Sequence, residues 1–198
     1  MAEENIAEMY ERGRKAFEWI EFKTQEEVDE LVAIVGWQFM QKQVAEEGAK
    51  LAFEGSGMGV QKDKYGKAGK VRGILWDMKG AKTCGIIKED HIRGITTYAK
   101  PMGVVANVCP CTNPCITAAF IGLTLLKTRN AMICSPHPRT KLATVNTVTL
   151  RVRQEPSMEA ATLGLVPIED QLLVSEEQDG KQYVYVSQIQ KKITLLQT

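Results

Sequence analysis

Hydrophobic positions in the first fifty residues recur with the period of an α-helix. Residues 5–20 carry an apolar stripe at three- and four-residue spacing, with charged residues on the other faces, which predicts an amphipathic helix. Thr24 and Glu27 have the spacing of a capping box, so a second helix should begin there and run to about residue 43. Residues 44–53 keep the helical spacing and predict either a third helix or an extension of the second.

The helical pattern dissolves over residues 54–73, which are rich in Gly and Lys. This composition predicts a loop that flanks at most one short helix. After it, residues 83–90 and 94–101 are short β-prone runs separated by charged residues, which is typical of a hairpin. The chain should therefore change from helical to strand structure at about residue 83.

A strand–helix–strand pattern follows the predicted hairpin. Residues 102–110 and 131–135 are continuous apolar runs, as expected of buried strands, and residues 114–130 between them carry a helical stripe. Pro114 suits the first position of that helix. Because the connections are short, the pattern predicts a βαβ unit with parallel strands and a right-handed crossover.

The character of the sequence changes again near residue 141. All five Cys, all three Trp and both His precede this point, whereas the remaining residues alternate between apolar and polar. Asp179 and Gly180 suit a hairpin turn. We therefore expect two domains, an α/β domain over residues 1–141 and a small all-β unit over residues 142–198.

Composition narrows the classes of function. Lys and Arg total 25 against 24 Asp and Glu, so no global field favours nucleic acid or a membrane surface as a partner. No segment resembles a signal peptide, and the longest apolar run is far shorter than the ~20 residues that span a bilayer. An odd number of cysteines without a secretion signal fits reduced thiols. We expect a cytoplasmic protein that binds neither nucleic acid nor a membrane.

Three cysteines, Cys109, Cys111 and Cys115, surround an Asn-Pro step. Structural zinc sites usually add a second Cys or His pair far along the chain, and this sequence lacks one, so no metal site is predicted. Asn113 allows two interpretations. Its amide could donate a hydrogen bond to a developing oxyanion, or it could cap the helix that follows, and local sequence alone favours the cap.

The stretch YAKPMGVVANVCPCTNPCITAAFIGLTLLKTRNAMICSPHPRTK, residues 98–141, resembles the CoA-acylating branch of the aldehyde dehydrogenase superfamily. The likeness extends in order over roughly residues 5–141, and PMGVVANVCPCTNP and KTRNAMICSPHP are its most specific pieces. The resemblance implies N-terminal helices and a truncated Rossmann-like cofactor domain of the aldehyde dehydrogenase type. It also implies NAD or NADP as cofactor, coenzyme A as co-substrate and a small aldehyde as substrate, and it allows a homo-oligomer.

The resemblance assigns roles to individual residues. Asn113 matches the asparagine that holds the oxyanion in this family. The loop beside the nicotinamide corresponds to Val108, Cys109, Pro110, Cys111 and Thr112. The segment near the adenosine ribose corresponds to Ser135, Pro136 and His137. The cysteine cluster is therefore expected to line a dinucleotide crevice rather than to bind a metal.

The nucleophilic cysteine of this family lies in a later catalytic domain, and the resemblance gives it no counterpart among the five cysteines. We therefore expect an enzyme fragment that is inactive alone and is joined to an unrelated tail. The alternative is a non-catalytic module that binds a nucleotide or a partner, for example through an exposed sheet edge or the N-terminal helix. A targeting role for that helix is a further alternative.

Overall fold

The computed structural model describes residues 6–147 and five strands of the tail. The chain divides into two compact units, Met1–Thr147 and Val148–Thr198. The first unit combines helices with two small sheets, so the α/β prediction is confirmed there. The domain boundary after residue 141 stays a prediction, although the helix Lys141–Thr147 that follows it belongs to the first unit.

Three helices of equal length begin the described chain. They are α1 (Ile6–Ile20), α2 (Gln25–Phe39) and α3 (Lys42–Ser56). The capping box is confirmed: Thr24 Oγ1 accepts a hydrogen bond from Glu27 N at 3.3 Å, and the Glu27 carboxylate accepts one from Thr24 N at 2.8 Å. α2 and α3 are separate helices because Gln41, with φ −61° and ψ 132°, is extended.

The loop predicted over residues 54–73 is wrong, because most of this segment is helical. α3 ends at Gly57, whose φ of 64° is the left-handed value that glycine adopts most easily. Three helical elements follow: α4 (Gln61–Gly66), a 3₁₀ turn (Lys67–Gly69) and α5 (Lys70–Met78). Among the side chains of these three elements only Val71 is buried, and the apolar stripe of α5, formed by Val71, Ile74, Leu75 and Met78, begins only at the end of the Gly- and Lys-rich segment.

The predicted hairpin is present as β1 (Gly85–Asp90) and β2 (Ile95–Ala99), which pair antiparallel. The Asp90 carboxylate closes the turn by accepting hydrogen bonds from Ile92 N at 3.1 Å and Arg93 N at 3.0 Å. Ile92 at the tip is 99% exposed. Its apolar side chain therefore has no packing role within the first unit.

The predicted βαβ unit is also present, as β3 (Val104–Val108), α6 (Pro114–Lys127) and β4 (Ala131–Ser135). The strands are parallel, in a register that runs from Val104 opposite Ala131 to Val108 opposite Ser135. α1 and α6 cover opposite faces of this sheet. A Cβ added at Gly13 of α1 would lie 2.9 Å from Val104 Cγ1, so the missing side chain allows the helix to approach the sheet closely.

A polar turn joins α6 to β4. Arg129, with φ 58°, donates from its guanidinium to Glu21 O at 2.6 Å and to Ala99 O at 3.1 Å. Asn130 Oδ1 accepts hydrogen bonds from Met102 N at 2.6 Å and from the next backbone nitrogen at 3.0 Å. These hydrogen bonds connect the turn between α6 and β4 to the ends of α1 and β2 and to the start of β3.

The core of the first unit lies between α2, α3, α5 and α6. A 3₁₀ turn (Pro138–Thr140) leads from β4 into α7 (Lys141–Thr147), which packs on α3 and α6. The buried apolar side chains include Val28, Val32, Val35, Phe39, Val71, Ala118, Leu123 and Ala143. Among the described residues, no helix is both long enough and apolar enough to cross a membrane.

The tail contains five described strands in two antiparallel groups. They are β5 (Thr149–Arg153), β6 (Thr162–Pro167), β7 (Leu172–Gln178), β8 (Lys181–Val186) and β9 (Ile189–Leu195). The hairpin turn predicted at residues 179–180 lies outside the described residues. An all-β unit over residues 142–198 stays a prediction, and its first residues, up to Thr147, are helical.

Candidate functional site

The candidate site lies at the carboxyl edge of the β3–β4 sheet, where the two segments predicted from the sequence meet. Val108 and Ser135 are register partners at the strand ends, and Cys109 N donates a hydrogen bond to Ser135 O at 2.9 Å. Val108 is 78% exposed, although it is an apolar side chain at the end of a strand. Ligands of open α/β sheets bind at such carboxyl edges.

Asn113 occupies the N-cap position of α6 but does not cap the helix. Its backbone has φ −139° and ψ 58°, and its side chain makes no capping hydrogen bond. The local-sequence preference for a cap is therefore wrong. Asn113 Oδ1 instead accepts a short hydrogen bond from Lys67 Nζ. Because an ammonium group can only donate, the atom that it contacts must be the amide oxygen, which leaves the amide nitrogen as the free donor of this side chain.

A pocket with about 530 Å³ of space, part of it open to solvent, lies beside Asn113. Its walls are mostly apolar side chains of α2, α3, α5 and α6, and its polar groups include Lys64, Lys67 and Thr112. Lys64 Nζ donates to Thr112 O at 3.2 Å. No acidic residue in the described part of the chain lines the pocket. The two ammonium groups and the N-terminus of α6 therefore create a positive potential at the start of α6.

Sequence reasoning missed Lys64 and Lys67. Both lie in the segment 54–73 that was predicted as a loop, so nothing placed them near α6. The high lysine content of this segment was the only indication in the sequence, and it does not distinguish a solvent-exposed surface from a binding site. The packing of α4 beside α3, and of α5 beside α6, brings these lysines to the start of α6.

Cys109 is buried and lies beside a second thiol. Its Sγ atom is 3.5 Å from Cys134 Sγ, and the Asn107 amide donates to Cys109 Sγ at 3.5 Å and to Cys134 Sγ at 3.9 Å. The hydrogen bond with Cys134 lowers the pKa of Cys109, Asn107 lowers it further, and burial opposes both effects. The thiol is therefore easier to ionise than an ordinary cysteine.

Cys115 has different surroundings. Its thiol donates to Gly48 O at 3.5 Å and to Ala143 O at 3.6 Å, which ties α6 to α3 and α7. Burial raises the pKa of Cys115. Cys109 and Cys115 therefore have different contacts. Residues 6–147 contain no group of three His, Cys, Asp or Glu side chains that could hold a metal ion.

The remaining predicted residues lie around the same edge. Pro110 and Thr112 are exposed, while Cys111, Pro136 and His137 are half-buried. His137 Nδ1 accepts a hydrogen bond from Arg139 N at 3.2 Å, so this imidazole caps the 3₁₀ turn. Cofactor contact by these residues stays a prediction.

No family model matches the chain. Curated relatives do: the chain is 42% identical over 140 residues to a sulfoacetaldehyde dehydrogenase of an Acholeplasma species, which covers 70% of this chain and 29% of the relative. It is 35% identical over 173 residues to an acylating sulfoacetaldehyde dehydrogenase of Bilophila wadsworthia, with 79% and 37% covered. An acetylating succinate-semialdehyde dehydrogenase of Clostridium kluyveri is 40% identical over 149 residues. The chain spans about a third of the length of these relatives.

Solved structures agree with this relationship. An acetylating aldehyde dehydrogenase of Geobacillus thermoglucosidasius superposes with a TM-score of 0.68 at 31% identity, covering 72% of this chain and 31% of that one. Two neighbours that share only the fold, at about 21–22% identity and a TM-score of 0.57, contain ligands: a Rhodopseudomonas palustris propionaldehyde dehydrogenase with CoA, and an engineered glycolyl-CoA reductase with NADP⁺. These relatives do not favour the alternative of a non-catalytic module. Over about 70% of its length, this chain is homologous to the acylating aldehyde dehydrogenases.

Proposed function

We propose that this chain provides the cofactor edge and the oxyanion-binding amide of a CoA-acylating aldehyde dehydrogenase. The reaction of such an enzyme converts an aldehyde, coenzyme A and NAD⁺ or NADP⁺ into an acyl-CoA, the reduced cofactor and a proton. The observation that carries the proposal is the state of Asn113: it stands at the start of α6, makes no capping bond, and is held through its oxygen by Lys67.

The proposed role of Asn113, donation of a hydrogen bond to an oxyanion, follows from that geometry. Attack of a thiolate on an aldehyde moves negative charge onto the carbonyl oxygen, and a fixed amide N–H stabilises that charge. Lys67 occupies the amide oxygen, so the amide nitrogen is the atom presented for donation. Lys64, Lys67 and the N-terminus of α6 add positive potential at the same place.

The residues at the sheet edge fit a nicotinamide cofactor, whose chemistry is to accept a hydride when bound. Val108 is an apolar side chain that is 78% exposed, so it can offer a flat ring an apolar contact. The chain continues from it through Cys109, Pro110, Cys111 and Thr112. Ser135 ends the neighbouring strand, and Pro136 and His137 follow it, so both segments lie at one edge of the sheet. Residues of this chain would bind and orient the cofactor there.

Several wider assignments belong to the same proposal. We infer that the chain acts in the cytoplasm, because its five cysteines are free thiols. We also infer that the sheet is Rossmann-like, that the protein forms a homo-oligomer and that the chain is a fragment of a longer enzyme. The support for these inferences is the homology to enzymes of which this chain spans about a third.

Cofactor binding can be tested on the chain itself by titrating NADH and NADPH and following their fluorescence. We expect saturable binding of at least one of them, and at least a tenfold weaker affinity in Val108→Asp, because a carboxylate would face the cofactor at the exposed edge. Ile92→Asp is the control, since Ile92 is also an exposed apolar residue and lies in the hairpin. Equal affinity of Val108→Asp and the unchanged chain, or no binding of either nucleotide, would contradict the proposal.

A further inference from the structure

A cluster of sulfur atoms lies under the carboxyl edge of the sheet, on the face covered by α6. Cys109 Sγ and Cys134 Sγ are 3.5 Å apart, and the amide of Asn107 donates to both. The same amide lies 3.6 Å from Met132 Sδ. One thiol directly follows β3 and the other lies in β4, and the two sulfur atoms are in van der Waals contact, so a small side-chain movement separates them from a covalent bond.

The two thiols differ in access to solvent. Cys109 is only 1% exposed, whereas Cys134 is half-buried and can be reached from outside. The hydrogen bonds to Cys109 lower its pKa, so the inner sulfur has more thiolate character than its burial alone would allow. A partly exposed thiol beside a second thiol that can resolve its sulfenic acid is an arrangement found in oxidation-sensitive pairs.

We propose that Cys109 and Cys134 are a modification site, a dithiol that hydrogen peroxide converts reversibly into a disulfide. The thiolate of Cys134 attacks one peroxide oxygen and becomes a sulfenic acid while hydroxide leaves. The sulfur of Cys109 then attacks the Cys134 sulfur, and the sulfenic oxygen departs as water. Two thiols and one peroxide therefore give one disulfide and two water molecules, and an external thiol reductant reverses the change.

The other three thiols do not compete for this bond. Cys115 is directed to the carbonyl oxygens of Gly48 and Ala143, and burial raises its pKa. Cys84 follows Thr83 beside α2 and donates its backbone nitrogen to Gln25, away from the sheet edge. Cys111 is half-buried, and the thiol–thiol contact within hydrogen-bond distance that the described residues show is the one between Cys109 and Cys134. The pairing is therefore expected to be specific.

The disulfide would act on the cofactor edge. It would close a loop from residue 109 to residue 134 and bind the start of the segment that follows β3 to the end of β4. Cross-linking of a loop of this length restricts the unfolded chain, so the oxidised protein should unfold at a temperature several degrees higher than the reduced protein. Formation of the disulfide is independent of the proposed function, because it concerns only thiol chemistry of the folded chain, whereas the description of this edge as a cofactor edge rests on the proposed function.

The test treats the full chain with a small molar excess of hydrogen peroxide, blocks the remaining thiols with iodoacetamide, and maps tryptic peptides by mass. Trypsin separates Cys134, in peptide 130–139, from the peptide 94–127 that holds Cys109, Cys111 and Cys115. We expect a mass loss of two hydrogens and a link between these peptides. The link should vanish in Cys109→Ser and in Cys134→Ser, persist in Cys111→Ser, and disappear on treatment with dithiothreitol.

Other results would overturn the proposal. They are a link that survives in Cys109→Ser or Cys134→Ser, a link lost in Cys111→Ser, and oxidation of Cys134 to sulfinic acid without any link. If Cys109→Ser unfolds, the unchanged chain still decides the matter, because fragmentation of the linked peptides locates both sulfur atoms. A melting temperature that does not differ between the oxidised and reduced chain would remove the proposed effect on the cofactor edge.

Discussion

Cys109 and Cys115 show how far the surroundings of a residue decide its chemistry. Both belong to one seven-residue segment of the sequence, yet Cys109 lies beside a thiol that lowers its pKa, and the half-buried Cys115 donates to backbone carbonyl oxygens. Asn113 shows the same effect, because its position predicts a cap and its bond to Lys67 gives it another partner. At this scale, tertiary contacts outweigh the local pattern.

The raised pKa of Cys115 predicts a pH dependence of stability. A group that holds its proton more tightly when folded stabilises the protein below the pKa of the unfolded thiol, and this contribution is lost as the pH rises above that value. Cys115→Ser keeps a donor for Gly48 O and Ala143 O but does not titrate in this range. The free energy of unfolding of the unchanged chain should therefore fall relative to Cys115→Ser between pH 7.5 and pH 10.

Urea titrations at both pH values, with a reductant present, would measure this difference. The contributions of other titrating groups to the pH dependence cancel in this comparison, because both proteins contain the same groups. A difference between the two proteins that stays constant, or that grows in favour of the unchanged chain at pH 10, would show that the buried thiol does not hold its proton.

At the scale of elements, one ion pair holds α2 against α6. Lys127 at the end of α6 is 5% exposed in its side chain and donates to Asp29 of α2, which also accepts from Gln25 at 2.8 Å. Gln25 in turn accepts from Thr83 N at 2.7 Å. The network thus joins two helices to the segment that leads into β1.

We predict an asymmetry between the two halves of this pair. Asp29→Ala should lower the free energy of unfolding by about 3 kcal/mol, because it leaves the Lys127 ammonium in the interior without its partner. Lys127→Met removes the buried charge and keeps a long unbranched side chain, so it should lower the free energy of unfolding by less than about 1 kcal/mol. Chemical denaturation of both variants measures the two values. A larger loss in Lys127→Met than in Asp29→Ala would contradict the account.

At the scale of the whole molecule, the candidate site at the carboxyl edge of the sheet has no residue to which we assign the role of nucleophile. The resemblance assigns the role of nucleophile to none of the five cysteines, and the acylating relatives are about three times as long as this chain. We therefore predict that the purified chain forms no NADH or NADPH from an aldehyde and coenzyme A. The Geobacillus acetylating enzyme assayed in parallel is the positive control. Turnover by this chain that is abolished in Asn113→Ala would refute the prediction.

Much of the architecture was predictable because it depends on local order. The helix start at Thr24 follows from one capping box, and the βαβ unit follows from two apolar runs with a helical stripe between them. The helical elements over residues 61–69 were not predictable, because they bury no side chain, whereas the apolar stripe of α5 (Val71, Ile74, Leu75 and Met78) was present in the sequence and was missed. The same failure concealed Lys64 and Lys67, since a residue in a predicted loop has no assigned neighbours.

Periodicity, caps and motifs are carried by residues close together in the chain, so they were enough to predict the first three helices, the hairpin, the βαβ unit and the resemblance to the acylating aldehyde dehydrogenases, but not α4 and α5. Only the tertiary structure decided which distant side chains meet: Lys67 with Asn113, Cys109 with Cys134, and Asp29 with Lys127. The physical reason is that such contacts depend on how helices pack and in what register strands pair, and no local propensity encodes either.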